Sequence, residues 1–129
     1  MTDFLLYIGI YNVIGALLLM FMNSETIADK VLRKYTEIIN IKYSHGPFSK
    51  LWLWWAASSN LFLGMIMILS TRWNEQIQKE VIMIAIGVYV IMYLGLIFGA
   101  KKPNYGRGII VTHLLWIFQI TWGSWTLLN

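Results

Sequence analysis

Two histidines (His45 and His113), six side-chain carboxylates and no cysteine are the stock of the commonest metal-ligating and general-base side chains in this chain of 129 residues. Without cysteine, disulfides, thiolate metal sites and thiol nucleophiles are excluded. No serine-nucleophile elbow, Walker loop or dinucleotide fingerprint occurs. Asp3, Glu25, Asp29, Glu37, Glu75 and Glu80 all lie outside the long apolar runs, where a proton-coupled pump keeps at least one ionisable group. Only His113 falls inside such a run. Two histidines without thiolate or carboxylate company are a poor metal or haem site, so neither metal nor cofactor is expected. A lipid-modifying enzyme with His113 as base stays open, but it lacks a carboxylate to orient that base.

The polar residues with the most informative spacing are amides and phenols. Counted from the start of its apolar run, Asn12 is the ninth residue, Asn60 the tenth, Tyr89 the ninth and Gln119 the eleventh. Four helices built on those runs would each carry a strong hydrogen-bonding side chain near mid-length. An amide left unpaired in hydrocarbon costs several kcal/mol, so the four should face inward. At about 100° per residue Asn12 shares a face with Gly9, Gly15 and Ala16, and Asn60 with Ala56, Ala57 and Gly64. Gln119 aligns with Thr112, Trp116 and Gly123. Small residues beside a polar one are what close helix contacts in membranes use. Tyr93 and His113 lie about a turn and a half from one end of their runs, at matching depth, opposite Gly15, Ala16, Ala56 and Ala57. Asn12, Asn60, Tyr89, Tyr93, His113, Trp116 and Gln119 are therefore the candidate lining of an interior pocket. The same pattern also fits interhelical glue, and small residues opposite large ones can equally let the helices close up.

The elements that must position these groups are the apolar runs themselves, about 4–22, 51–69, 81–99 and 109–128, none containing Asp, Glu, Lys or Arg. Each is long enough, at ~1.5 Å per residue, to span a hydrocarbon core of roughly 30 Å. The composition agrees: 58% hydrophobic, 16% aromatic and only 12% charged, where a soluble domain is about 25% charged. Mean hydropathy is +0.62. The expected fold is all-α, an up-and-down four-helix transmembrane bundle forming one domain over residues 1–129.

All ten basic residues fall between the runs. Residues 23–50 and 100–108 hold eight of them, and 70–80 hold Arg72 and Lys79. By the positive-inside rule the first and third loops are cytoplasmic and both termini lie outside the plasma or inner membrane. The net charge of +4 then reads as topology control, and no nucleic-acid partner is expected. "MTDFLLYIGI" has no basic residue before its apolar run and no small-residue cleavage site after it, so a cleaved signal peptide is not expected. In the first loop, Ile27, Val31, Tyr35 and Ile38 recur at helical spacing after Asn23 and Ser24, with Lys30, Arg33 and Lys34 elsewhere around the wheel. That predicts an amphipathic helix over about 24–40, lying on lipid headgroups or packed on the bundle. "KLWLWWAASSN" (50–60) places Trp52, Trp54 and Trp55 at the cytoplasmic end of the second run, with Trp73 and Trp125 at the opposite interface.

"GALLLMFMNSETIADKVL" (15–32) resembles the glycine-led first span, polar break and A-x-x-L run of the DoxX-like group of small four-helix bacterial membrane proteins. "GRGIIV" (106–111) extends the likeness to the last span, while "NSE" stands where that group usually has proline. The resemblance implies a four-helix bundle and association with quinone-linked or respiratory membrane systems; it assigns no functional residues. The favoured reading is a non-enzymatic membrane protein binding a lipid or hydrophobic small molecule inside the bundle. The alternative is an accessory subunit of a larger membrane complex, or a homo-oligomer through Gly95-x-x-x-Gly99, which faces away from Tyr89.

Overall fold

The computed structural model describes residues 1–22, 47–99 and 109–129. Within them the chain forms four α-helices and no strand: α1 (Thr2–Met22), α2 (Pro47–Ser70), α3 (Glu75–Gly99) and α4 (Ile109–Leu128). The amphipathic helix expected over 24–40, His45, the side chain of Trp52 and the basic residues of 23–46 and 100–108 lie outside the described residues.

Each helix follows one apolar run, and local chemistry sets the ends. α2 begins at Pro47, four residues before its run, because the first helical position has no use for the N–H that proline lacks. α3 begins at Glu75, six residues before its run. Asn74 caps it, its Oδ1 accepting the Ile77 N–H at 3.0 Å. Glu75 adds a negative charge to the first turn and pairs with Lys79 one turn on, at 2.8 Å. α2 ends where the Ser70 and Thr71 hydroxyls donate to the carbonyls of Met67 and Ile68, both at 2.7 Å. Three backbone bonds, the last from Trp73 N–H to the Ser70 carbonyl at 2.9 Å, tighten the chain into a turn. Buried Gln78 fastens that turn to α3 by donating to the carbonyls of Thr71 and Trp73 at 3.3 and 3.0 Å.

The helices alternate in direction. α1 and α2 form the most extensive pair, α3 and α4 the second, and α2 and α4 occupy opposite corners without meeting. Two glycines bring α1 and α2 together. A Cβ on Gly64 would lie 2.7 Å from the Gly9 carbonyl oxygen, and one on Gly9 would lie 3.0 Å from the Gly64 oxygen. Only backbones without side chains at both positions can approach so closely. Gly123 does the same for α4, where a Cβ would be 2.9 Å from both Phe4 Cζ and Ile86 Cγ1.

The core gathers at one end. Phe4, Leu5, Ile8, Met67, Val81, Ile82, Ala85 and Tyr89 are buried together, all in the half that holds the 71–74 turn. Phe4 closes it against Trp122, ring edge to face at 5.4 Å. Beyond Tyr89, Ala16 and Ala57 are still fully buried on α1 and α2, while the outer surface of α3 is apolar and open, with Ile91 70% and Phe98 82% exposed. α1 over Thr2–Phe21 and α3 over Glu75–Phe98 are long and apolar enough to cross a membrane. α2 offers a shorter apolar stretch, Trp54–Ser70. α4 falls short of the same hydropathy because Thr112, His113, Gln119, Thr121, Ser124 and Thr126 dilute it.

Candidate site in the bundle interior

Asn12 of α1 and Tyr89 of α3 meet where the core ends. The Asn12 Nδ2 donates to the Tyr89 hydroxyl at 2.5 Å. Met67 of α2 completes the cluster, its thioether sulfur 3.6 Å from both the Asn12 nitrogen and the Tyr89 oxygen. Three helices are thereby tied through one fully enclosed polar contact, a geometry suited to holding the bundle together. The fourth helix joins through Trp116, whose ring meets Tyr89 edge-on at 5.7 Å.

Tyr93 and His113 form a second pair. The Tyr93 hydroxyl lies 3.2 Å from His113 Nδ1, and the rings cross at 80° with centroids 5.6 Å apart. The imidazole's tautomer decides which of the two donates. Both are half-buried, one turn farther from the core than Tyr89 and Trp116.

The four mid-length residues do not share one depth. Met67, not Asn60, stands level with Asn12 and Tyr89. Asn60 lies one turn back along α2 from Gly64, where a Cβ would be 3.0 Å from Asn12 Cβ, an offset of about 6 Å at ~1.5 Å per residue. Equal counts from the start of each run predict equal depth only if each run meets the others in register. The glycine contact instead slides α2 along α1 until Gly9 and Gly64 face each other. Asn60 therefore sits in the same half as Tyr93 and His113, half-buried and making no hydrogen bond.

Gln119 is displaced the other way. Trp116 is level with Tyr89, so Gln119 lies about one turn toward the core. It is only 4% exposed, and its carboxamide has no hydrogen-bond partner among the described residues. The hydroxyls around it on α4 have partners within their own helix. Thr121 donates to the carbonyls of Ile117 and Phe118 at 2.8 and 3.1 Å, and Thr126 to that of Trp122 at 2.8 Å.

The sequence pattern singled out Asn12, Tyr89, Tyr93, His113, Trp116 and Gln119, and the structure brings the first two together, the next two together, and Trp116 against Tyr89. It missed Met67, since a methionine in an apolar run carries no signal that its sulfur will accept hydrogen bonds. Gly95 is exposed, and a Cβ there would meet nothing within 4 Å. Among the described residues no group of three His, Cys, Asp or Glu could hold a metal ion. No protein-family model, characterised protein or solved structure matches the chain.

Proposed function

We propose that the chain is a four-span integral membrane protein whose bundle binds a hydrophobic small molecule or lipid, without catalysing a reaction. One observation carries the binding reading: beyond the Asn12–Tyr89–Met67 cluster only the small Ala16 and Ala57 of the described residues are fully buried, yet half-buried polar side chains continue there. Asn60, Tyr93 and His113 are half-buried there, in a bundle otherwise apolar. Polar groups kept inside beyond what the core needs fit a pocket of mostly apolar walls with a few orienting donors and acceptors.

Two features support the membrane setting. The apolar windows of α1 and α3 are only 33% and 22% buried, whereas the core helix of a soluble protein is mostly buried. Exposed tryptophans also stand at both ends of the bundle, Trp54 and Trp55 at one and Trp73 and Trp125 at the other. From Trp54 to Ser70 the helix rises roughly 24 Å at ~1.5 Å per residue, and Trp73 stands in the turn just beyond, so the two tryptophans are separated by about one hydrocarbon thickness. In this orientation the 71–74 turn and both termini lie outside, and the basic loops lie in the cytoplasm. The likeness of 15–32 to DoxX-like proteins belongs to the same proposal, as an expected kinship in architecture.

Native mass spectrometry of protein released from gently solubilised membranes tests the function. A bound mass of lipid or small-molecule size, retained at one per chain, is the expected result. A stoichiometric larger protein partner in its place would favour the accessory-subunit reading, for which α3 offers an open face at Gly87 and Gly95. A bare chain with neither would overturn both.

A further inference from the structure

Phe4, Ile8, Tyr11 and Gly15 fall on one stripe of α1, at spacings of four, three and four residues, and Phe4 at its start packs against Trp122 and Gly123 of α4. Burial falls along it. Phe4 is fully buried against Trp122 and Gly123, and Ile8 is nearly so, whereas Tyr11 is 47% exposed. Gly15 is half-buried, yet a Cβ there would meet nothing within 4 Å. The facing stripe of α4 runs from Gly123 and Trp122 back to Gln119, one turn away on the same face. The seam between α1 and α4 is thus closed at the turn end, and farther along the stripe Tyr11 is exposed and a Cβ on Gly15 would enter open space. At its closed end lies a buried carboxamide with no partner among the described residues.

We infer that this seam is the binding site of the proposed function, and that its ligand is a single-chain lipid with an uncharged polar group, a hydroxyl or carbonyl, held by Gln119. The inference rests on the reading of the bundle as a ligand binder. The carboxamide offers one acceptor and two donors, which match a hydroxyl or ester. Within α1 and α4 the described spans hold only one charged side chain, Asp3, which precedes Phe4 at the outer tip of the closed end, more than a turn beyond Gln119. A charged headgroup drawn to that depth would be desolvated with nothing to balance it, so the site selects against ionised lipids. The apolar chain would lie along the stripe past Tyr11 and Gly15, where glycine leaves the width of a missing side chain.

Three proteins test this in lipid-stripped maltoside micelles: the parent, Gln119→Leu and Gly15→Leu. Each is melted with and without monoolein, and with an anionic lysophosphatidylglycerol of the same chain length. Monoolein should raise the melting temperature of the parent and the anionic lipid should not, since only a ligand bound by the folded state stabilises it. Both variants should lose that rise. Empty, Gly15→Leu should melt with the parent because its side chain enters open space, and Gln119→Leu should melt at or above it because an unpartnered amide is removed. An equal rise in all three proteins, or with both lipids, would overturn the inference as non-specific uptake. A lower melting temperature for empty Gln119→Leu would also overturn it, since the amide would then be bonded to water or protein. If monoolein has no effect while native mass spectrometry finds another bound molecule, the lipid class is wrong and the ligand-binder reading survives. If neither is seen, both fail.

Discussion

Replacing Gly64 with alanine adds one methyl group at the tightest point of the α1–α2 interface. That methyl would lie 2.7 Å from the Gly9 carbonyl oxygen, 2.9 Å from Val13 Cγ2 and 3.0 Å from Asn12 Cβ. Ordinary contact begins near 3.4 Å, so the oxygen must recede by about 0.7 Å, from 2.7 to 3.4 Å. A backbone oxygen cannot turn aside as the end of a side chain can, so the helices must separate. A radial gap of ~0.5–1 Å forfeits a quarter to a half of each dispersion contact across the seam. Overpacking of this kind costs about 1–3 kcal/mol. Alanine recovers up to ~1 kcal/mol through its better helix propensity. The balance is a loss of about 0–2 kcal/mol against the parent and about 1–3 kcal/mol against an alanine placed at an open glycine, with the Asn12–Tyr89 bond loosened because Asn12 moves with α1. Reversible unfolding in mixed micelles with increasing dodecyl sulfate measures it, with Gly95→Ala as control because a Cβ there meets nothing. If Gly64→Ala proves indistinguishable from Gly95→Ala, the close approach of α1 and α2 is wrong.

Tyr89→Phe keeps the ring against Trp116 but removes the oxygen bound to Asn12; it should cost ~0.6–2 kcal/mol in the same assay. Combined with Asn12→Ala it should cost less than the two changes summed, and strict additivity would mean that the pair does not interact. Asn60→Leu should leave stability unchanged or raised, because no hydrogen bond is lost; a drop comparable to that of Tyr89→Phe would place Asn60 back in the structural cluster. Single cysteines at Thr2, Asn74 and Asn129 should react with an impermeant thiol reagent outside intact cells, and one at Asn104 should not; the reverse pattern would invert the orientation.

The sequence alone decided that the described residues make four helices, and roughly where. A run of about twenty apolar residues without a charge has few other options, and Asn74, Pro47 and the Ser70–Thr71 pair mark ends by chemistry that is local to a few residues. It also marked Asn12, Tyr89, Tyr93 and His113 as inward groups, because polar side chains in apolar runs must find one another. Axial register lay beyond it. How far α2 slides along α1 depends on which small residues let the backbones touch. Gly9 and Gly64 make that contact, while Gly15 and Gly95, alike in sequence, meet nothing. A helical wheel gives the angle of a side chain but not the height at which its neighbour sits. For that reason counting residues set Asn60 beside Asn12, whereas the packed helices put Met67 there and left Gln119 buried without a partner among the described residues. Whether a small residue seals a seam or opens one is a property of the pair of surfaces, and only the tertiary structure contains the pair.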